Sequence, residues 1–207
     1  MGFKGVEFDV MLAGDGTPVV IHDETVDRTT NGRGAVPKLT YPELSKLIIG
    51  KNEKIPTFAE AGRLCRELGL WANVEIKPAK DHERATGLAV APLARELWRG
   101  AALPPLLSSF SMPALEAACE AAPQLPRGYL VDKIPQDWLA TMRRLECVAL
   151  HCNYRSLTES LAAAIHEAGY GILLWTVNDP AEARHLLAMG ADCLVTDALE
   201  RIGPEFR

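Results

Sequence analysis

Strand-like and helix-like stretches alternate through most of this chain, and that rhythm restricts its fold more than any other feature. From Pro56 onward the alternation is regular. Thr57 opens a helix that runs to Leu68, with Glu60 three residues on as the matching capping-box residue and Gly69 as the stop. Strands are predicted over residues 70–76, 106–110, 128–131, 147–152, 171–177 and 192–195. Helices are predicted between them, over 83–98, 113–122, 136–145, 158–168 and 180–189. Leu157, Leu161, Ile165 and Ala168 fall on one helical face, as do Ala183, Leu186 and Leu187. Strands separated by helices pair in parallel through right-handed crossovers, so the expected class is α/β. A doubly wound sheet would also satisfy the pattern, but it normally opens with a glycine-rich turn, and no Gly-x-Gly-x-x-Gly occurs here.

The front of the chain is less regular. An apolar run over 6–12 leads into the turn Gly14-Asp15-Gly16, and residues 18–22 read as the return arm of a hairpin. Residues 23–55 break the rhythm with a polar, turn-rich stretch and a short helical piece over 41–47, and are read as an insertion within a single domain spanning 1–207. The parallel strands, without the hairpin arm, number seven, whereas a closed (β/α)8 barrel needs eight. Residues 1–5 look like the tail of a helix, so the shortfall is assigned to the front: one βα unit, roughly 30 residues, is expected to be absent. Two unpaired edges would invite a homodimer. A start at an internal methionine of a longer protein is the preferred explanation.

Chemistry-bearing residues gather at predicted strand ends. In Glu7-Phe8-Asp9 the carboxylates are two apart, so both point to one face while Val6, Phe8 and Val10 point to the other. Two inward carboxylates repel and lose hydration unless a cation or proton lies between them, which marks Glu7 and Asp9 as oxygen ligands for Mg²⁺ or Ca²⁺. Asn73-x-Glu75-x-Lys77 repeats the pattern on the next barrel strand, with Pro78 ending it, and suits a metal ligand beside a phosphate clamp. His22 closes the hairpin arm beside Asp23, where an imidazole can transfer protons near neutral pH. Each of these also has a purely structural explanation: surface acids, an ordinary ion pair, a packing histidine.

Taken in order, the segments resemble the glycerophosphodiester phosphodiesterase family. Glu-x-Asp comes first, then Asp-Gly-x-Pro-Val-Val-x-His-Asp, Asp-Arg-Thr-Thr-Asn-Gly and Glu-x-Lys-Pro. Ser109-Phe110-Ser111, Trp175-Thr176-Val177-Asn178 and Val195-Thr196-Asp197 match later strand ends, so the likeness runs from Gly2 to Asp197. It implies a TIM barrel of the phosphodiesterase type that hydrolyses glycerophosphodiesters to glycerol 3-phosphate and an alcohol. It further implies one divalent cation, Mg²⁺ or Ca²⁺, on Glu7, Asp9 and Glu75. His22 would be one of two catalytic histidines and Lys77 would contact phosphate. Phe110 and Trp175 would line the substrate pocket, although each aromatic on sequence grounds alone reads as core. Residues 23–55 would be the family's small inserted subdomain.

The family's opening His-Arg-Gly strand, and the helix after it that begins near Glu-Asn-Thr, have no counterpart here. His151, near a strand's C-terminal end, is the remaining histidine worth testing as the second catalytic one; His82, His166 and His185 belong to a loop or to helix surfaces. Loss of one acid–base group commonly costs ~10²–10⁴-fold in rate, so the 207-residue form is expected to be weak or inactive. Two other readings are carried alongside: a non-catalytic barrel that binds a phosphodiester or metal, and a phospholipase D-like hydrolase of lipid headgroups.

Composition excludes little but points one way. A formal net charge of −5 without a basic stripe argues against a nucleic-acid partner. No run approaches the ~18 apolar residues of a membrane span, and residues 1–10 do not form a basic-then-apolar signal segment, so a cytoplasmic location without stable membrane association is expected. Five scattered cysteines read as reduced thiols, with Cys147 and Cys193 as small core residues.

Overall fold

The computed structural model describes residues 2–206. The chain groups into two compact units, Gly5–Leu125 and a second made of residues 2–4 with 126–206.

The first unit contains β1 (Gly5–Leu12), β2 (Pro18–Val20), α1 (Tyr41–Leu44), α2 (Phe58–Glu67), β3 (Trp71–Ile76), α3 (Glu83–Leu97), β4 (Leu106–Ser109) and α4 (Met112–Ala121). β2 folds back antiparallel on β1 with Val10 opposite Val20, which is the predicted hairpin. On its other side β1 pairs in parallel with β3, and β3 with β4. The predicted capping box forms at α2: the Thr57 side chain accepts from the Glu60 amide at 3.1 Å, and Glu60 Oε2 accepts from the Thr57 amide at 2.8 Å.

One core lies between these strands and their helices. Val10, Ala72, Val74, Ile76 and Leu107 pack with Phe58, Val90, Ala94, Ala114 and Ala118, with Val6 and Phe8 against its edge. Gly87 lets α3 approach α4, since a Cβ there would lie 2.4 Å from the Ala114 carbonyl oxygen. Because strand residues alternate, this core claims the even positions of β1 and β3. The odd positions Glu7, Asp9, Asn73 and Glu75 therefore share the opposite face.

Residues 23–55 pack on the hairpin through a shared apolar cluster, in which Val26, Val36, Leu44 and Ile55 meet Met11, Val19 and Ile21. The Asp27-to-Gly32 motif serves the architecture of this segment. The Asn31 side-chain oxygen accepts from the Ile48 amide at 2.8 Å, and Asp27 accepts from the Gly34 amide at 2.8 Å. The Arg28 guanidinium grips Asp23 through two bonds of 2.5 and 2.8 Å.

The second unit repeats the strand–helix alternation with β5 (Arg127–Val131), α5 (Trp138–Arg144), β6 (Ala149–Asn153), α6 (Glu159–Glu167), β7 (Gly171–Trp175), α7 (Pro180–Ala188) and β8 (Cys193–Leu194). Its strands pair in parallel in sequence order. The predicted α/β class and parallel pairing hold in both units.

Several expectations need correction. Residues 2–4 carry no helix and β1 already begins at Gly5, so a helical tail over 1–5 is not found; Met1 lies outside the described residues. β2 stops at Val20, two residues before His22. β6 begins at Ala149 rather than Cys147, because the Cys147 amide bonds the Met142 carbonyl and Glu146 turns with φ 51°. Ala168 ends α6 exposed instead of facing the core. Cys147 is buried and Cys193 half-buried, and all five cysteines are free thiols. Among the described residues, no helix is long and apolar enough to cross a membrane.

Candidate active site

The parallel register places Glu7 opposite Asn73 and Asp9 opposite Glu75. Carboxylate oxygens of Glu7, Asp9 and Glu75 consequently lie within 4.8 Å of one another. Beyond the end of β3 the ladder continues for one bond, from the Lys77 amide to the Val10 carbonyl at 3.0 Å. That bond holds the Lys77 ammonium beside the acids, 3.2 Å from Asp9 Oδ1. The sequence-predicted acids and lysine are thus brought together.

The cluster is electrostatically uncomfortable by itself. Glu75 is 8% exposed, and its pKa is pushed up to about 8, first by burial and then by the Asp9 carboxylate, with Lys77 opposing. A carboxyl that resists ionisation beside two other acids fits a site completed by positive charge. The donor set is all oxygen, which suits a hard divalent cation. Two oxygens on opposite sides of Ca²⁺ can be ~4.6–5.2 Å apart, and around Mg²⁺ ~4.0–4.2 Å, so three acids whose oxygens all lie within 4.8 Å of one another can meet on one such ion. The residues present fit the group.

Beside the cluster opens a cleft of about 470 Å³, lined by Glu75, Lys77, Lys80, Glu83, Glu24 and the loop Ser109-Phe110-Ser111, among others. Phe110 is 47% exposed and forms part of its wall. The two serines are structural. Ser109 Oγ donates to the Ile76 carbonyl at 2.5 Å and accepts from the Ser111 amide at 3.0 Å, while the Ser111 hydroxyl caps α4. They fix the end of β3, and with it Lys77.

His22 is placed differently. It lies on the loop beyond β2, exposed, with Nδ1 2.5 Å from Asp23 Oδ1, and it is not among the cleft-lining residues. The Arg28 hydrogen bonds, followed by the one from His22, hold Asp23 far below the usual carboxylate range. Asp23 therefore stays an acceptor that orients the ring. Trp175 ends β7 half-buried and does not appear in the cleft lining.

His151 is overturned as a proton donor or acceptor. It is 0% exposed, and burial drives its pKa down to about 3, so the ring is neutral and shut off near neutral pH. It packs over Gly128, where a Cβ would come 2.4 Å from Nε2.

Sequence reasoning missed Lys80, Glu24 and Glu83 as cleft residues. They belong to loops or a helix start whose direction no periodicity reveals. It named Asn73 in the β3 motif without giving it a role and passed over Ser108; both share the acids' face.

The comparisons with known proteins agree with this geometry. The profile of the "Glycerophosphoryl diester phosphodiesterase family" matches residues 1–201. The chain belongs to that family. It is 32% identical to a glycerophosphodiester phosphodiesterase of Caldanaerobacter subterraneus subsp. tengcongensis, over 98% of this chain and 85% of the relative. A phosphodiesterase of Oleispira antarctica, solved in complex with the product sn-glycerol-3-phosphate, superposes with a TM-score of 0.89 at 36% identity. That match covers 95% of this chain and 82% of the other. The glycerophosphodiester phosphodiesterase of Thermotoga maritima gives 0.77 at 25% identity, covering 95% and 83%. The TIM-barrel type expected for such phosphodiesterases is the fold these neighbours share with the chain.

Proposed function

We propose that this chain carries the site of a metal-dependent hydrolase that splits glycerophosphodiesters with water into glycerol 3-phosphate and an alcohol. One observation carries the reading: three carboxylates and an ammonium converge where the middle of β1 pairs with the C-terminal end of β3, beside an open cleft. A divalent cation on Glu7, Asp9 and Glu75 would supply Lewis-acid charge to nonbridging phosphate oxygens. Lys77, already 3.2 Å from Asp9, would share the negative charge that grows on the phosphoryl group. Phe110 offers an apolar wall to the glycerol or alcohol carbons. His22, its tautomer fixed by Asp23, is the candidate for moving a proton to or from the reacting oxygens. The bound product of the Oleispira antarctica phosphodiesterase supports glycerol 3-phosphate as the product class.

With a single histidine in that role, the 207-residue polypeptide should turn over slowly, ~10²–10⁴-fold below an enzyme with a complete acid–base pair. The test is release of glycerol 3-phosphate from glycerophosphocholine with Mg²⁺ or Ca²⁺, and with a chelator. Slow, cation-dependent release that disappears in Glu75→Gln is expected. Release unaffected by the chelator would overturn the metal dependence. Saturable binding of the diester with no release would replace hydrolysis by a binding function.

A further inference from the structure

Two polar side chains beneath the acid cluster have no role in the site as described so far. Asn73 is 2% exposed and Ser108 0% exposed, and neither Asn73 Oδ1 nor Ser108 Oγ has a hydrogen-bond partner in the protein. Their placement follows from register. Asn73 lies opposite Glu7 on β1 and two residues before Glu75 on β3; Ser108 on β4 lies opposite Glu75. Residues in register across a pleated sheet share a face, so both point the same way as the carboxylates. The reverse face confirms this, because Val74 and Leu107 are in the helix-side core. A buried polar atom left unsatisfied destabilises a fold, and here two lie near one another next to three acids.

Asn73 and Ser108 are diagonal neighbours, with backbones about 7–8 Å apart, a gap that one water spans between the two side chains. Donors and acceptors balance around such a water. The Ser108 hydroxyl donates to it; the water donates one hydrogen to Asn73 Oδ1 and the other to a carboxylate oxygen of the cluster. The result is three bonds, the usual number for a buried water. A carboxylate held that way keeps its remaining lone pairs turned toward the cleft.

We propose that Asn73 and Ser108 are positioning residues of the cation site, holding one buried water that orients the carboxylate of Glu75. The inference rests on the cation reading given above. Partners of this kind typically contribute 10–100-fold in metal affinity.

The test measures cation affinity and stability in parallel, using calorimetric titration with Mg²⁺, Ca²⁺ or Mn²⁺ and thermal unfolding of the chelated protein. Asn73→Leu and Ser108→Ala each remove one arm of the water site with little change of bulk. Each should weaken cation binding about 10–100-fold while the melting temperature of the chelated protein changes little, since the water keeps its other two partners. Unchanged affinity in both variants would overturn the proposal. A chelated-state melting temperature that falls in step with affinity would also overturn it, by showing a merely structural role. Should Asn73→Leu fail to fold, the milder Ser108→Ala decides. Wild-type protein that binds none of the three cations would remove the cation reading itself, and the proposal with it.

Discussion

The first unit, with β1, β3 and β4, and the second, with β5 to β8, both bury an ionisable group, and they treat it in opposite ways. In the first, Glu75 lies among Glu7, Asp9, Lys77, Asn73 and Ser108, beside a cleft. In the second, His151 is sealed in with neither ring nitrogen hydrogen-bonded. Burial disfavours the charged form of each, raising the acid to about 8 and lowering the base to about 3. Only the first has neighbours that a ligand can complete. A perturbed pKa thus marks a site when the group belongs to a cluster that opens on a cleft, and marks packing when it stands alone in the core.

The contrast breaks most easily at the acids. Glu75→Gln or Asp9→Asn should lower cation affinity and hydrolysis by more than ~10²-fold, exceeding the effect of losing a supporting residue, whereas His151→Leu should leave both within a few-fold. Titration calorimetry and product release read these directly. Lys77→Met should come next, reducing kcat/KM by ~10²-fold while cation binding persists, because the lysine's charge serves the phosphoryl group.

The two groups should also give opposite pH slopes. Above pH ~6.5 His151 is neutral folded or unfolded. Below that the unfolded chain takes up a proton that the fold refuses until about pH 3, so stability falls with falling pH, by up to ~1.4 kcal/mol per unit. Glu75 runs the other way: its folded pKa is raised, so chelated protein loses stability as pH rises from ~4.5 toward 8. Urea unfolding at pH 4.5, 5.5, 7 and 8 should show the acid-side slope flattened in His151→Leu. The alkaline-side slope should be flattened in Glu75→Gln, or in wild type with saturating cation.

The smallest effect should be at Gly128. Gly128→Ala drives a methyl into the His151 ring and should destabilise by ~1–3 kcal/mol, largely recovered in the double variant with His151→Ala.

What the sequence made legible was whatever depends on short periods. The two-residue spacing of Glu7 and Asp9, and of Glu75 and Lys77, already placed them on one face, and the Thr57–Glu60 box announced the start of α2. What stayed hidden depends on register or on loops. That Ser108 lies opposite Glu75 needs the pairing of β3 with β4, which no local pattern encodes. His22 was expected to close a strand, but β2 stops at Val20, and the ring bonds Asp23, which Arg28, five residues beyond that acid, clamps on the loop. His151 had the right position along its strand, and only packing over Gly128 reveals that it is sealed. Arg127 begins β5 with its guanidinium buried on the Leu145 and Glu146 carbonyls, a cap of α5 that sequence spacing does not suggest.

Anomalous diffraction from crystals soaked in Mn²⁺, a hard cation that takes the same oxygen donors, tests the central claim most directly. The expected result is one strong peak per chain, within ~2.0–2.6 Å of carboxylate oxygens from Glu7, Asp9 and Glu75. Absence of a peak there, or an equally strong peak held by other residues while these three acids stay empty, would contradict it.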